Sequence, residues 1–345
     1  MQQNNVSLFK LRYIILIIVA AAVLAAGAYF FVNSGQGIKP VGPPEKVTIA
    51  YSVATDAAVA AIAHMQGYYR KEGLDAAARL HPYGKLALQD VLEGKADFAT
   101  VGETPIVFAI IKGERVSIIA TIQSTNMENA IVARRDRGIG ALSDLKGRKI
   151  AATRGTTMDY FLDVILGTQG ISRKEVTVID LKPNEMLDAL ARGDVDAISS
   201  FHPYIIPAQK KLGVRGITLQ DKDIYTATFN IVAKQEFIHR NPEKVKKVLR
   251  ALIRAEEFVR QNKTEAQTIV ADFSGVDIAI VREIWDVYNF TVTLNQSLLL
   301  AMEDESQWAI QNRLANGVKK IPNSLDFIYL DGLASVKPKA ISILR

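Results

Sequence analysis

Short apolar runs alternate with amphipathic stretches along most of the chain. The run Val47–Tyr51 has the length of a strand, and residues 57–66 repeat small and apolar side chains with the spacing of a helix that Gly67 ends. Another strand-like run, Leu74–Leu80, follows. Alternating strands and helices are typical of a parallel sheet covered by helices, so the pattern predicts an α/β fold.

One strand–loop unit occurs twice along the chain. Leu92–Ala99 is followed by Pro105, and Leu190–Ile198 is followed by Pro203. In each copy a helix stops at a glycine, which accepts a left-handed backbone, and an aspartate opens a short apolar strand. The loops that leave the carboxyl ends of strands line the ligand crevice of an open α/β sheet. The two copies therefore predict two lobes that offer equivalent loops to one cleft.

Interruptions in the alternation divide the chain into parts. The crossings between the lobes are predicted at Gln123–Glu128 and Asp221–Thr226, and a long helix is expected to start at Pro242. The predicted parts are a signal peptide or membrane anchor (1–33), a linker (34–45), the first part of lobe one (46–124), lobe two (125–222) and the return to lobe one (223–345).

The N-terminal segment combines a basic start with an apolar run. Lys10 and Arg12 precede Tyr13–Val32, which at about 20 residues is long enough to cross a membrane as a helix. Ala26-Gly27-Ala28 fits signal cleavage, whereas the continuation to Val32 favours a retained anchor, and both interpretations remain open. In either case the basic start predicts export, to the periplasm or the outer face of the cytoplasmic membrane.

Composition narrows the classes of function. The chain has 345 residues, of which 49% are hydrophobic and 23% charged, as in ordinary globular proteins of two domains or lobes. The net charge is +6, and a basic cluster at residues 244–254 falls on one face of an amphipathic helix. A solvated helix face explains this cluster better than nucleic-acid or membrane contact, so no nucleic-acid partner is expected.

Catalytic and metal chemistry has little support. Cysteine is absent, which excludes disulfides, thiolate nucleophiles and cysteine-ligated metals from the chain. The four histidines, His64, His81, His202 and His239, have no metal-binding spacing. We therefore expect no catalytic residue, no metal and no cofactor.

Five motifs in a fixed order resemble a known family. They are Gly67–Leu74 (GYYRKEGL), Gly94–Ala99, Gly102–Pro105, Leu142–Ala151 (LSDLKGRKIA) and Gly193–Ala197. Over residues 46–275 the chain resembles periplasmic solute-binding proteins of importers for nitrate, sulfonates, taurine and thiamine-pyrimidine precursors. The resemblance implies a type II periplasmic-binding-protein fold, in which two α/β lobes joined by two hinge crossings close on a ligand.

One triplet departs from the family. Relatives often carry an aromatic residue, an acid and a proline where this chain has Phe201-His202-Pro203. The aromatic residue and the proline are kept, whereas the acid is replaced by histidine. The ligand preference of a relative therefore does not carry over to this chain.

The candidate ligand residues lie on the predicted strand-exit loops. They are Ser52, Thr55, Tyr83, Gly84, Gly102, Glu103, Thr104, Gln123, Ser124, Arg154, Gly155, Thr156, Thr157, Phe201 and His202. The loop 154–157 opens a helix, where free N–H groups and the helix dipole favour an anionic or oxygen-rich head group; the alternative is an ordinary helix cap with an exposed arginine. Tyr83 and Phe201 either stack on the ligand or belong to the core. Glu103 either caps its helix or selects a cationic donor, so the charge of the ligand stays open.

Three functions compete. The first is a non-enzymatic, monomeric binding protein that delivers a small anionic molecule (sulfonate-, nitrate- or carboxylate-like) or a pyrimidine-like one to the permease subunits of an ABC importer. The second is the ligand-sensing subunit of a signalling system, acting through a separate partner. The third is an enzyme like the pyrimidine-phosphate synthases of thiamine biosynthesis. Those synthases depend on a cysteine-rich motif that this chain lacks, so we expect no enzymatic activity.

Overall fold

The computed structural model describes residues 42–315 and 317–344. Within them ten strands form two five-stranded sheets. In chain order the strands are β1 (Glu45–Ser52), β2 (Leu74–His81), β3 (Phe98–Gly102), β4 (Val116–Thr125), β5 (Asn129–Arg134), β6 (Lys149–Ala152), β7 (Thr177–Asp180), β8 (Ala197–Phe201), β9 (Gly216–Leu219) and β10 (Ala227–Lys234).

Helices cover both sheets. In chain order they are α1 (Ala58–Met65), α2 (Tyr68–Lys71), α3 (Gly84–Leu92), α4 (Glu103–Ile111), α5 (Thr157–Thr168), α6 (Pro183–Arg192), α7 (Ile205–Leu212), α8 (Gln235–Arg240), α9 (Pro242–Gln261), α10 (Lys263–Ser274), α11 (Ile278–Ile284), α12 (Gln296–Gln311) and α13 (Leu330–Val336). The long helix predicted from Pro242 is present.

The two sheets share one topology. The first has the order β2-β1-β3-β10-β4 and the second β7-β6-β8-β5-β9. In each, three neighbouring strands are parallel, whereas β10 and β5 run antiparallel to both of their neighbours. The two-lobed α/β fold is thus confirmed, but the sheets are mixed, because β5 and β10 enter directly from the other lobe instead of through a covering helix.

Separate apolar cores support the lobes. In lobe one, helix α1 packs on the first sheet, and side chains such as Ile49, Phe98 and Ile231 are completely buried. In lobe two, Met186 on α6 lies in a cluster on one face of the second sheet and Phe161 on α5 lies in a cluster on the other. Each sheet is therefore covered by its own apolar clusters, and Ala54 and Tyr83 of lobe one join the cluster around Met186 between the lobes.

The chain passes between the sheets at residues 126–128 and again at 220–226. These crossings lie side by side, because Asn126 Nδ2 donates to the carbonyl oxygen of Lys222 (2.9 Å) and Gln220 Nε2 donates to that of Met127 (2.7 Å). They coincide closely with the predicted crossings.

The predicted signal or anchor segment lies outside the described residues, as does the linker apart from residues 42–45. Within the part of the chain that the structure describes, no helix has both the length and the apolar character needed to cross a membrane.

Candidate functional site

A buried cleft lies where the carboxyl-end loops of both sheets meet. It has a free volume of about 50 Å³. Its lining residues are Ser52, Asp56, Tyr83, Gly84, Lys85, Gly102, Pro105, Glu128, Asn129, Thr156, Thr157, Met158, Phe201, Thr228 and Phe229. Seven of the predicted site residues belong to this lining: Ser52, Tyr83, Gly84, Gly102, Thr156, Thr157 and Phe201.

Lobe one contributes loops that require close backbone approach. Ser52 ends β1, Gly102 ends β3, and Tyr83 and Gly84 start α3 after β2. A Cβ on Gly84 would lie 2.8 Å from the Cα of Val101, closer than side chains tolerate. Only glycine therefore allows the start of α3 to rest against β3 and bring Tyr83 into the cleft.

Lobe two contributes the start of α5. The Thr156 hydroxyl donates to the carbonyl oxygen of Thr153 (2.6 Å), and the Gly155 N–H donates to the Asp159 carboxylate (2.9 Å) with Gly155 at a φ of +65°. The Thr156 hydroxyl proton is thus used inside the loop, and Thr156, Thr157 and Met158 at the helix start all line the cleft. The first N–H groups of a helix have no partner within the helix. The arrangement suits an oxygen-rich group at the helix start.

Eight predicted residues lie outside the lining. Arg154 is exposed and lines an outer pocket of about 580 Å³ together with Gly155. Ser124 lines a third pocket, next to residues 224–226 of the second crossing. The remaining five, which are buried or half-buried around the cleft, are Thr55, Glu103, Thr104, Gln123 and His202.

Glu103 supports the cleft from behind. Its carboxylate accepts hydrogen bonds from the backbone N–H and the hydroxyl of Thr228, both at 2.8 Å. Because Thr228 on β10 lines the cleft, Glu103 fixes one wall of the site without lining it. Thr104 also lies close to the lining, with its hydroxyl 3.5 Å from that of Thr157 across the lobes.

Sequence reasoning missed two buried acids in the lining. Asp56 is 3% exposed and follows β1 in the turn Thr55–Ala57, and Glu128 is 6% exposed and lies at the crossing just before β5. Asp56 adjoins the predicted Thr55, and Glu128 ends a predicted crossing, so both positions were within the reach of the pattern. The other missed lining residues are Lys85, Pro105, Asn129, Met158, Thr228 and Phe229.

Burial dominates the electrostatics of the site. It raises the pKa of Asp56 to about 7, and burial together with the Asp56 charge raises the pKa of Glu128 well above its usual value. Burial also lowers the pKa of His202 to about 4 and lowers the pKa of Lys85. The imidazole of His202 is therefore neutral near pH 7, and it adds no positive charge to the two acids.

The lobes contact each other around the cleft. Lys85 Nζ donates to the carbonyl oxygen of Arg154 (2.6 Å). Farther out, Trp308 Nε1 on α12 donates to Asp163 Oδ2 on α5 (2.7 Å). The Trp308 ring also meets Tyr160 of lobe two edge to face, with centroids 5.1 Å apart. These contacts join the two lobes on the side of the cleft that lies away from the crossings.

A family model described as NMT1/THI5-like matches residues 54–266. The chain belongs to this family. The matched segment includes both crossings, the whole of helix α6 and every lining residue except Ser52. The cleft therefore lies almost entirely within the part of the chain that matches the family.

Relatives of this NMT1/THI5-like chain are named as binding proteins. It is 30% identical over 227 residues to a Brucella abortus protein provisionally named a binding protein, covering 64% of this chain and 69% of the relative. It is 25% identical over 213 residues to the taurine-binding periplasmic protein of Escherichia coli, covering 61% and 65%. The crystal structure of the periplasmic aliphatic sulphonate binding protein of Escherichia coli superposes with a TM-score of 0.71 at 21% identity, covering 83% of this chain and 98% of that one, which shows the fold.

The same fold also occurs in an enzyme. The crystal structure of a desulfurization enzyme superposes with a TM-score of 0.64 at 15% identity, covering 85% of this chain and 99% of that one. At that identity the likeness extends to the fold alone, and the sequence relatives named above are binding proteins.

Proposed function

We propose that this protein is the extracytoplasmic substrate-binding component of an ABC importer, which captures a small molecule by closure of its two lobes. The observation that carries the proposal is the cleft between the two lobes, which is built from loops of both sheets, while two adjacent crossings join the lobes. Hinge closure around a ligand is a known mode of action of such two-lobed architecture. The periplasmic relatives support export, and the ABC permease would be its partner in the membrane.

Within the cleft, we assign the start of α5 to the polar head of the ligand. Backbone N–H groups at a helix start and the helix dipole favour an anionic or oxygen-rich group, such as a sulfonate or carboxylate. Thr157 adds a hydroxyl at the first position of the helix. Lys85, in the first turn of α3 of lobe one, brings a cation to the same cleft.

Lobe closure is tested by small-angle X-ray scattering combined with a thermal-shift screen on the purified full-length protein. The screen covers sulfonates, nitrate, carboxylates, pyrimidines and amino acids. A ligand present at 100 times its Kd should add about 2.7 kcal/mol of stability. The radius of gyration should fall when that ligand is added, because open molecules close. A ligand that binds at saturation without any compaction would contradict capture by closure.

The head-group assignment is tested with two matched variants on α5. Thr157→Val removes the hydroxyl at the cleft end of the helix, and Thr168→Val removes one at the far end, where it donates to the Ile165 carbonyl oxygen. Losing a hydrogen bond to a charged group costs about 1.5–3 kcal/mol, so calorimetry should show affinity at least about tenfold weaker for Thr157→Val. Thr168→Val should bind like wild type. Equal affinities for both variants would place the head group elsewhere.

A further inference from the structure

We infer that the end of the cleft next to the crossings binds a protonated nitrogen group of the ligand, held by Asp56 and Glu128. This inference rests on the proposed function, since it names a second pole of the ligand bound in the same cleft. The start of α5 requires only an anionic or oxygen-rich group, and the two acids add the requirement for a cationic nitrogen. A ligand that satisfies both ends carries an anionic or oxygen-rich group and a cationic nitrogen.

The two acids are placed to act together. Asp56 follows β1 of lobe one, and Glu128 lies on the first crossing just before β5 of lobe two. Both side chains line the cleft, and the charge of Asp56 contributes to the raised pKa of Glu128. Lobe one thus contributes one carboxyl group to this end of the cleft and the first crossing contributes the other. A cation bound there would interact with both.

Neither acid has a cationic partner. Across residues 42–315 and 317–344, no ion pair involves Asp56 or Glu128, and Lys85 of the same cleft is turned to the Arg154 carbonyl oxygen. Burying a carboxylate without a partner is costly, and a group in that position raises its pKa and stays protonated instead. The raised pKa of both acids follows from this burial. A bound cation supplies the charge that the described residues do not.

Unpartnered oxygens around the acids indicate a ligand that donates hydrogen bonds. Asp56 Oδ1, Asn129 Oδ1 and Ser52 Oγ are buried without a hydrogen-bond partner, and all three residues line the cleft. Asn129 is 4% exposed and Ser52 is 1% exposed, so bulk water does not satisfy them. Buried polar atoms are nearly always paired in folded proteins, and an ammonium or amidinium group has enough N–H donors for three oxygens.

The remaining walls favour an organic cation over a metal ion. Tyr83, Phe201 and Phe229 line the same cleft and present aromatic surface. Aromatic faces attract ammonium, amidinium and guanidinium groups. Within the described residues, no cluster of three or more histidine and acidic side chains could hold a metal.

The test uses pairs of compounds that differ mainly in a protonated nitrogen. They are taurine with isethionate, glycine with glycolate, and benzamidine with benzamide, each added to the purified full-length protein in thermal-shift and calorimetric measurements. We expect the nitrogen-bearing member of at least one pair to bind at least about tenfold more tightly than its partner, as expected for a charged hydrogen bond.

Three variants test whether Asp56 and Glu128 cause the preference for the nitrogen-bearing compound. Asp56→Asn and Glu128→Gln keep the shape of each side chain and remove its charge, and each should reduce the preference for the nitrogen-bearing member by at least about tenfold. Glu305→Gln is the matched control, because Glu305 is also a fully buried carboxyl with a raised pKa but does not line this cleft. It should keep the wild-type preference.

Each other outcome overturns the inference. The inference is wrong if the neutral members bind as well as the cationic ones, if none of the six compounds binds, or if both cleft variants keep the preference. Protection by calcium or magnesium chloride alone would make the acids a metal site instead. The proposed function is judged separately: compaction with any anionic or neutral ligand sustains it even when the cationic preference is absent.

Discussion

The hydrogen bond between Trp308 and Asp163 should help hold the lobes closed, and Trp308→Phe tests this. Trp308 lies on α12, which packs on α4 of lobe one, whereas Asp163 lies on α5 of lobe two. The Nε1–Oδ2 distance is 2.7 Å. Phenylalanine keeps an aromatic ring next to Tyr160 but has no N–H to donate. When the lobes separate, the bond is lost in wild type as well, so its removal should affect the closed state alone, whereas any loss of packing on Phe108 of lobe one affects both states.

The structure sets the expected size of the effect. A hydrogen bond to a charged acceptor contributes about 1.5–3 kcal/mol. Asp163 also accepts from Arg173 at 2.6 Å, so its carboxylate stays partnered in the variant and the lower end of that range applies. About 1.5 kcal/mol shifts the ratio of closed to open molecules roughly tenfold. Because a ligand bound in the cleft requires closure, its affinity should weaken by up to about the same factor.

The assay is calorimetry with a ligand from the screen, and the chain provides its own control. It contains two tryptophans, and Trp285 is buried in lobe one, where it packs on Phe290. Trp285→Phe removes the same indole from a position within one lobe, so it should lower the melting temperature without weakening ligand affinity. The reasoning is refuted if Trp308→Phe binds ligand as tightly as Trp285→Phe does.

Three further predictions concern stability. Gly84→Ala should lower the free energy of unfolding in urea by about 1–3 kcal/mol, because the added Cβ would meet the Val101 backbone. Gly167→Ala should raise it by up to about 1 kcal/mol, because this helical glycine has open space around it, and equal effects of the two variants would contradict the reasoning. Burial raises the pKa of Glu103, so the native state loses stability as pH rises from 4.5 through that raised pKa, and Glu103→Gln should flatten this dependence in thermal unfolding. Burial lowers the pKa of His202 from 6.5 to about 4, so wild type should lose at most about 3 kcal/mol as pH falls through that window, and an unchanged acid profile in His202→Gln would count against it.

The fold was predictable because the signals that specify it are local. The apolar run Val47–Tyr51 lies within β1, and Leu74–Leu80 lies within β2. The break in alternation at Gln123–Glu128 contains the first crossing, since a chain that changes lobes interrupts the strand–helix repeat. The antiparallel direction of β10 was not predictable from periodicity, which is the same for parallel and antiparallel strands.

The site was predictable as a set of loops and less so as a set of side chains. The position of Thr156 follows from the helix start, but the turn of its hydroxyl onto the Thr153 carbonyl oxygen depends on the loop conformation. Arg154 has the chemistry of an anion-binding residue, yet it is exposed and lines the outer pocket instead of the cleft. Asp56 and Glu128 come to line one cleft only through the packing of one lobe against the other. Contacts of this kind have no periodic signature in the sequence.

The return strand β10 has a consequence for how the protein is made. It lies between β3 and β4 in the first sheet, and Thr121 donates to the Asn230 side chain across 109 residues of sequence. Strands β5–β9, in contrast, are contiguous from residue 129 to 219. During synthesis lobe two can therefore complete its sheet first, whereas β3 and β4 must wait for residues 227–234 before they have a common neighbour. Contacts between distant segments form slowly, so we expect the first sheet to stay incomplete while the chain is exported and to close only after lobe two has folded.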